Sequence, residues 1–249
     1  MNHLFEYTLR IGDDSLILGQ RLSEWCGHGP ILEEDIATTN ISLDLIGQAT
    51  NFLTYAAELE NAGRDADNLA FLRIDREYKN VVLVEQPNGD FGDTMVRQLL
   101  FDAFRKLFFE RLQHSKNEQL AAIAEKSLKE TRYHLKHSSE WIIRLGDGTE
   151  ESHNRVQNSL NTLWRYRTEL FYMDEVDAEL IKQGIAIDLN SFRNEYDSFL
   201  TSILHEATLV PPTNNWEFGA GRTGKHSEHL GHLLAEMQYM QRAYPNMEW

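Results

Sequence analysis

Three observations predict an all-α fold, with an antiparallel four-helix bundle core and additional flanking helices, over residues 1–249 as one domain. Apolar residues recur at three- and four-residue steps through four stretches of roughly 22 to 28 residues, the spacing of one helical face. Proline occurs five times in 249 residues and the glycines fall in clusters, so long uninterrupted helices are possible. Short connections between the long stretches make sequential neighbours antiparallel.

The first helix is predicted over about Leu4–Trp25, with Leu4, Tyr7, Thr8, Ile11, Leu18 and Leu22 in periodic register, and it stops at Gly27-His28-Gly29-Pro30. The second covers about Glu33–Glu60, opening on Glu33, Glu34 and Asp35 beside its positive dipole end and closing near Asn61-Ala62-Gly63. A short helix near Asn68–Arg73 and an extended run at Val81-Val82-Leu83-Val84 follow. No second strand exists to pair with that run, and a lone strand cannot satisfy its backbone groups. The third long helix spans about Asp93–His114, the fourth about Glu118–Leu145, the fifth about Ser152–Asp174, the sixth about Leu189–Glu206 and the seventh about His226–Ala243. An irregular loop from Val210 to Gly224 precedes the last. There is no internal repeat and no low-complexity tract.

The formal net charge is −15, which repels phosphate backbones and anionic lipid and speaks against nucleic-acid and membrane-surface binding. No segment approaches about 18 uninterrupted apolar residues. A single cysteine, Cys26, excludes an intrachain disulfide, and with no leader-like run at the start the expected location is the cytoplasm.

A long helical bundle often holds a cofactor. The ferritin-like di-iron pattern takes one Glu from each of two helices and a Glu-x-x-His pair from each of the other two, because a three-residue step points both side chains at one metal. Among ten histidines only His153 has an acid three positions earlier, Glu150, and that pair stands beside a Gly-rich turn. The positions at comparable depth carry other chemistry. The second helix has Asp44 in a polar stripe with Asn40, Gln48 and Asn51; the third has Asp102 with Arg105 where a metal site wants His. The fourth has Glu130 and His134, and the fifth offers Trp164 and Arg165. Arginine has no lone pair for iron and a permanent positive charge. Asp102 and Arg105 therefore read either as the remnant of a metal site healed by ion pairing or as an ordinary solvated helix pair.

Other constellations are weaker. In His226-x-x-His229-x-x-His232 the outer two side chains are separated by about 240° of rotation, so all three cannot reach one ion. Cys26 beside His28 lacks an identifiable orienting group for a nucleophile. No Gly-x-Gly-x-x-Gly, P-loop or Gly-x-Ser-x-Gly signature occurs. Trp216, Phe218 and Trp249 stand in a loop and at the chain end, where aromatics are commoner at interfaces than on plain surface.

Several segments carry a resemblance: Glu24-Trp25-Cys26-Gly27-His28, Asn40 through Ala49, Val84-Glu85-Gln86-Pro87-Asn88-Gly89-Asp90-Phe91, Lys129 through His134, and His229-Leu230-Gly231 with Leu234 through Tyr239. In order along essentially the full chain, they resemble the C-subunit family of bacterial ring-1,2-phenylacetyl-CoA epoxidases (monooxygenases). The resemblance implies a ferritin-like bundle that has lost its metal ligands, with no cofactor in this chain and the di-iron centre in a homologous catalytic A subunit. It implies a non-catalytic structural role in phenylacetate catabolism, within a hetero-oligomer that includes an NADPH-fed reductase subunit. The alternative is a catalytically active di-iron oxygenase or oxidase in its own right. Asp44, Asp102, Arg105, Glu130 and His134 are then the vestigial metal-site positions. Trp25, His28, Glu85, Gln86 and Asn88 join Trp216, Phe218 and Trp249 as candidates for the partner interface.

Overall fold

The computed structural model describes residues 2–213, 219–245 and 247. Among the described residues there is no strand, and the architecture is all-α and ferritin-like in class. The chain divides into two compact units, Met1–Pro87 with Ala220–Trp249, and Asn88–Gly219.

The first unit is built on α1 (His3–Ser23) and α2 (Leu32–Glu60), which pack antiparallel. Asn2 caps α1 by accepting the amide of Phe5 at 3.2 Å. In the connecting turn, the carboxylate of Asp35 accepts the amides of Gly27 and Gly29, each at 3.1 Å. Seven residues apart on α1, Gly12 and Gly19 let the helices approach closely. A Cβ at Gly19 would meet the Ile46 amide nitrogen at 3.3 Å, and Ser42 instead donates to the Gly19 carbonyl at 2.8 Å. Ile17, Leu18, Leu22, Phe52 and Leu53 fill the contact and are almost fully buried.

Around this pair lie α3 (Ala66–Phe71), α4 (Val82–Glu85), α10 (Glu228–Met237) and α11 (Tyr239–Ala243), numbering the helices in chain order. The run Val81–Val84, expected to be extended, is a buried helical turn. Its backbone is satisfied without a strand: Asp14 accepts the Val81 amide at 2.9 Å and the Gln86 side chain donates to the Val82 carbonyl at 2.9 Å. The single C-terminal helix expected over His226–Ala243 is two helices separated at Gln238. That buried side chain donates to the Arg73 carbonyl and to the Tyr78 hydroxyl, each at 2.9 Å.

The second unit is built on α5 (Phe91–Leu112) and α6 (Glu118–Gly146), also antiparallel, with α7 (Glu150–Leu163), α8 (Glu175–Gln183) and α9 (Arg193–Glu206) around them. Asp90 and Asp93 form a reciprocal capping box, which starts α5 two residues earlier than expected. The fifth expected helix is shorter than its period suggested. The α-helix stops at Leu163 and a 3₁₀ segment, Trp164–Phe171, replaces its C-terminal half. That tighter winding aims Phe171 into an aromatic cluster, with ring centroids 5.4 Å from Phe104, 5.6 Å from Phe192 and 5.2 Å from Tyr196. Helix α8 was not expected, although Asp174 and Asp177 form a capping box and Gly184 closes the helix at φ +75°.

Candidate functional site

In the second unit the cluster grows from two facing helices. Asp102 and Arg105 stand one turn apart on α5, 1% and 2% exposed, so the solvated-pair reading is excluded for them. From α6, Ser138 donates its hydroxyl to Asp102 at 3.0 Å, and His134, one turn earlier and equally buried, acts on the same carboxylate electrostatically. Burial pushes the Asp102 carboxyl up to about 7, against the opposing pull of His134, the Ser138 hydroxyl, Arg105 and Arg97. The guanidinium of Arg105 lies 4.3 Å from the ring centre of Phe109 and 5.3 Å from that of Phe101, a cation–π setting on an apolar wall. Arg97, buried on the same helix, donates to the Asn88 side chain at 2.7 Å.

Glu130 is half-buried on α6, one turn before His134. Arg165, expected at bundle depth, is exposed and donates to the Tyr166 hydroxyl at 2.9 Å, because the α-helical period ends before it. Asp44 is half-buried on α2 in the first unit. The donor set around Asp102 does not fit a di-iron centre. Asp102 stands there with the Ser138 hydroxyl, the His134 imidazole and the fixed guanidinium charges of Arg105 and Arg97, whereas two irons need several anionic oxygens. Among the described residues, no group of three or more His, Cys, Asp or Glu side chains is placed to hold a metal ion.

Sequence reasoning passed over Ser138, although it follows His134 by four residues on one face. It also missed three buried charge clusters in the first unit. Asp13 forms a bidentate pair with Arg73 and accepts the Lys79 amide at 2.8 Å, while Arg73 lies 4.2 Å over the Tyr78 ring. Asp14 pairs with Arg222 at 2.7 Å. Glu85 accepts from the Asn80 side chain at 2.9 Å, the Ser227 amide at 2.6 Å and His226 Nδ1 at 2.8 Å. The other nitrogen of His226 faces the Tyr78 carbonyl at 2.9 Å. The two ring nitrogens therefore bridge the Glu85 carboxylate and the Tyr78 carbonyl. His226 is thereby tied into the fold, apart from the half-buried His229 and exposed His232 on α10.

A family model described as "Phenylacetic acid catabolic protein" matches residues 1–249. The chain belongs to the phenylacetic acid catabolic protein family. A relative from Escherichia coli (strain K12), named as the C subunit of 1,2-phenylacetyl-CoA epoxidase, is 51% identical over 249 residues, covering the whole of both chains.

In this member of the phenylacetic acid catabolic protein family, the expected interface residues divide by burial. His28 is exposed and Trp25 half-buried in the α1–α2 turn, and Cys26 between them is exposed. Glu85 and Gln86, expected at a partner surface, are instead buried; their polar atoms satisfy the backbone and side chains of their own unit. Asn88 is half-buried, its side chain accepting from Arg97 and its carbonyl from Thr94 at 2.9 Å, so it steadies the start of α5. Trp216, Phe218 and Trp249 lie outside the described residues. No helix of the described residues is long and apolar enough to cross a membrane.

Proposed function

We propose that this chain is the structural, non-catalytic subunit of a cytoplasmic, multicomponent di-iron monooxygenase that epoxidises the ring of phenylacetyl-CoA in aerobic phenylacetate degradation. It pairs with a homologous catalytic A subunit that carries the di-iron centre, and a reductase subunit supplies electrons from NADPH. The relative's name, which makes it one subunit of 1,2-phenylacetyl-CoA epoxidase, supports membership of such an assembly.

The observation that carries the supporting role is the buried Arg105 one turn after Asp102. In a Glu-x-x-His metal helix that position supplies an imidazole to iron. Here it supplies a positive charge that cannot be titrated away, set among the same helices' polar side chains. The cluster is suited to holding α5 and α6 together. It is poorly suited to collecting two cations.

The test is co-expression with the oxygenase subunit, size-exclusion chromatography and an iron assay on each separated component. Joint elution, with iron following the partner, is the expected result. Roughly stoichiometric iron in this chain purified alone, with an oxo-bridged absorption, overturns the supporting role in favour of an oxygenase acting in its own right.

A further inference from the structure

The face of α2 that points away from α1 carries Leu32, Ile36 and Leu43 at 72%, 53% and 60% exposure. At 100° per residue these three fall within about 60° of arc with Gly47, Thr50 and Thr54, a strip about 33 Å long. A Cβ built at Gly47 meets nothing within 4 Å, so the strip's middle is open to close approach by another backbone. The opposite face buries Ile41, Leu45, Phe52 and Ala56. A helix apolar on two faces is normally covered on both.

The charge pattern restricts what covers this strip. Helix α2 contains six carboxylates, Glu33, Glu34, Asp35, Asp44, Glu58 and Glu60, and neither lysine nor arginine. Exposed Glu33 and Glu58 and half-buried Asp44 line one edge of the strip, about 80–120° round from Leu32. A second copy of this chain, itself at −15, would set carboxylate against carboxylate. We propose that the Leu32–Leu43 strip of α2 is the docking surface for another subunit of the oxygenase, one presenting an apolar helix face rimmed with lysine and arginine. The proposal rests on the supporting-subunit reading above.

The experiment measures binding of the purified catalytic subunit to the full chain at 50 and 500 mM salt, with Ile36→Glu, Leu43→Glu and Tyr239→Glu as variants. The substituted residues are exposed, and far-UV circular dichroism with a melting curve verifies each fold. Wild-type affinity is expected to weaken about tenfold at the higher salt, since the rim charges are screened. Ile36→Glu and Leu43→Glu should each weaken binding about tenfold or more, and Tyr239→Glu should leave it unchanged. If the wild-type chain binds no epoxidase subunit, the functional reading fails and takes this inference with it. If the wild type binds and Leu43→Glu binds equally well, the function stands and the surface is wrong. Weakening by Tyr239→Glu alone moves docking to the C-terminal helices and overturns the proposal. So does a dimer of the isolated chain that Leu43→Glu abolishes.

Discussion

Ser138 on α6 donates its hydroxyl to Asp102 on α5 across 3.0 Å, in an interior where both residues are almost completely buried. One hydroxyl is thin compensation for a desolvated carboxylate. The remaining charge stabilisation comes from His134, Arg105 and Arg97, and it does not outweigh burial.

The pH dependence of stability follows. The Asp102 carboxyl rises from 3.8 to about 7 in the folded protein, so the native state holds this proton more tightly than the unfolded chain. That stabilisation is complete below about pH 4 and is lost as pH rises through about 7. Asp102→Asn removes this contribution. The variant is expected to gain over wild type as pH climbs from 4 to 8, reaching an order of 2–4 kcal/mol at pH 8. Urea denaturation at several pH values measures it, and parallel wild-type and variant curves would contradict the assignment.

Removing the neighbouring charge acts in the opposite sense. Arg105→Ala takes away a lowering influence on Asp102 and leaves a cavity against Phe101 and Phe109. It should cost about 2–4 kcal/mol and push the Asp102 midpoint further up. A cost below about 0.5 kcal/mol is the behaviour of a surface pair and would be inconsistent with the burial. Arg105→His is expected to bind no stoichiometric iron, since the carboxylate–histidine pair on α7, Glu150 and His153, stands at that helix's first turn, where His153 meets the Gly146 carbonyl at 2.7 Å.

In the first unit, the buried Asp13–Arg73 pair should be far more sensitive than an exposed one. Arg73→Ala strands a carboxylate that is 0% exposed and is expected to cost about 3–5 kcal/mol in chemical denaturation. Arg155→Ala, which breaks surface contacts with Glu151 and Asp90, should leave the midpoint where it is.

Two glycines should respond in opposite directions to alanine. Gly47 sits mid-helix with free space around it, so Gly47→Ala should stabilise by about 0.5–1 kcal/mol. Gly29 lies in the α1–α2 turn, where a Cβ would come within 2.7 Å of the Asp35 Cα, so Gly29→Ala should destabilise by about 1–3 kcal/mol. Thermal melts of both variants settle the contrast.

The long helices were legible because their evidence is local. The first was expected from Leu4 and begins at His3; the second was expected over Glu33–Glu60 and runs Leu32–Glu60. Periodic apolar residues and capping side chains lie within a few positions of one another, so a linear reading captures them. The 3₁₀ segment at Trp164–Phe171 was not legible, because its reason is Phe104, Phe192 and Tyr196, distant in sequence. The helical turn at Val82–Glu85 escaped for the same cause, the amide just before it being accepted by Asp14.

By itself, the sequence determined the all-α class, the four long helices, the family resemblance and the spacing of Arg105 three residues after Asp102. Only the tertiary structure decided that Asp102 and Arg105 are buried, that Ser138 is their neighbour across the helix pair, and that Glu85 and Gln86 belong to the interior. Helical periodicity is a property of neighbours along the chain. The cost of a charge depends on what surrounds it in space, and residues far apart in sequence supply those surroundings.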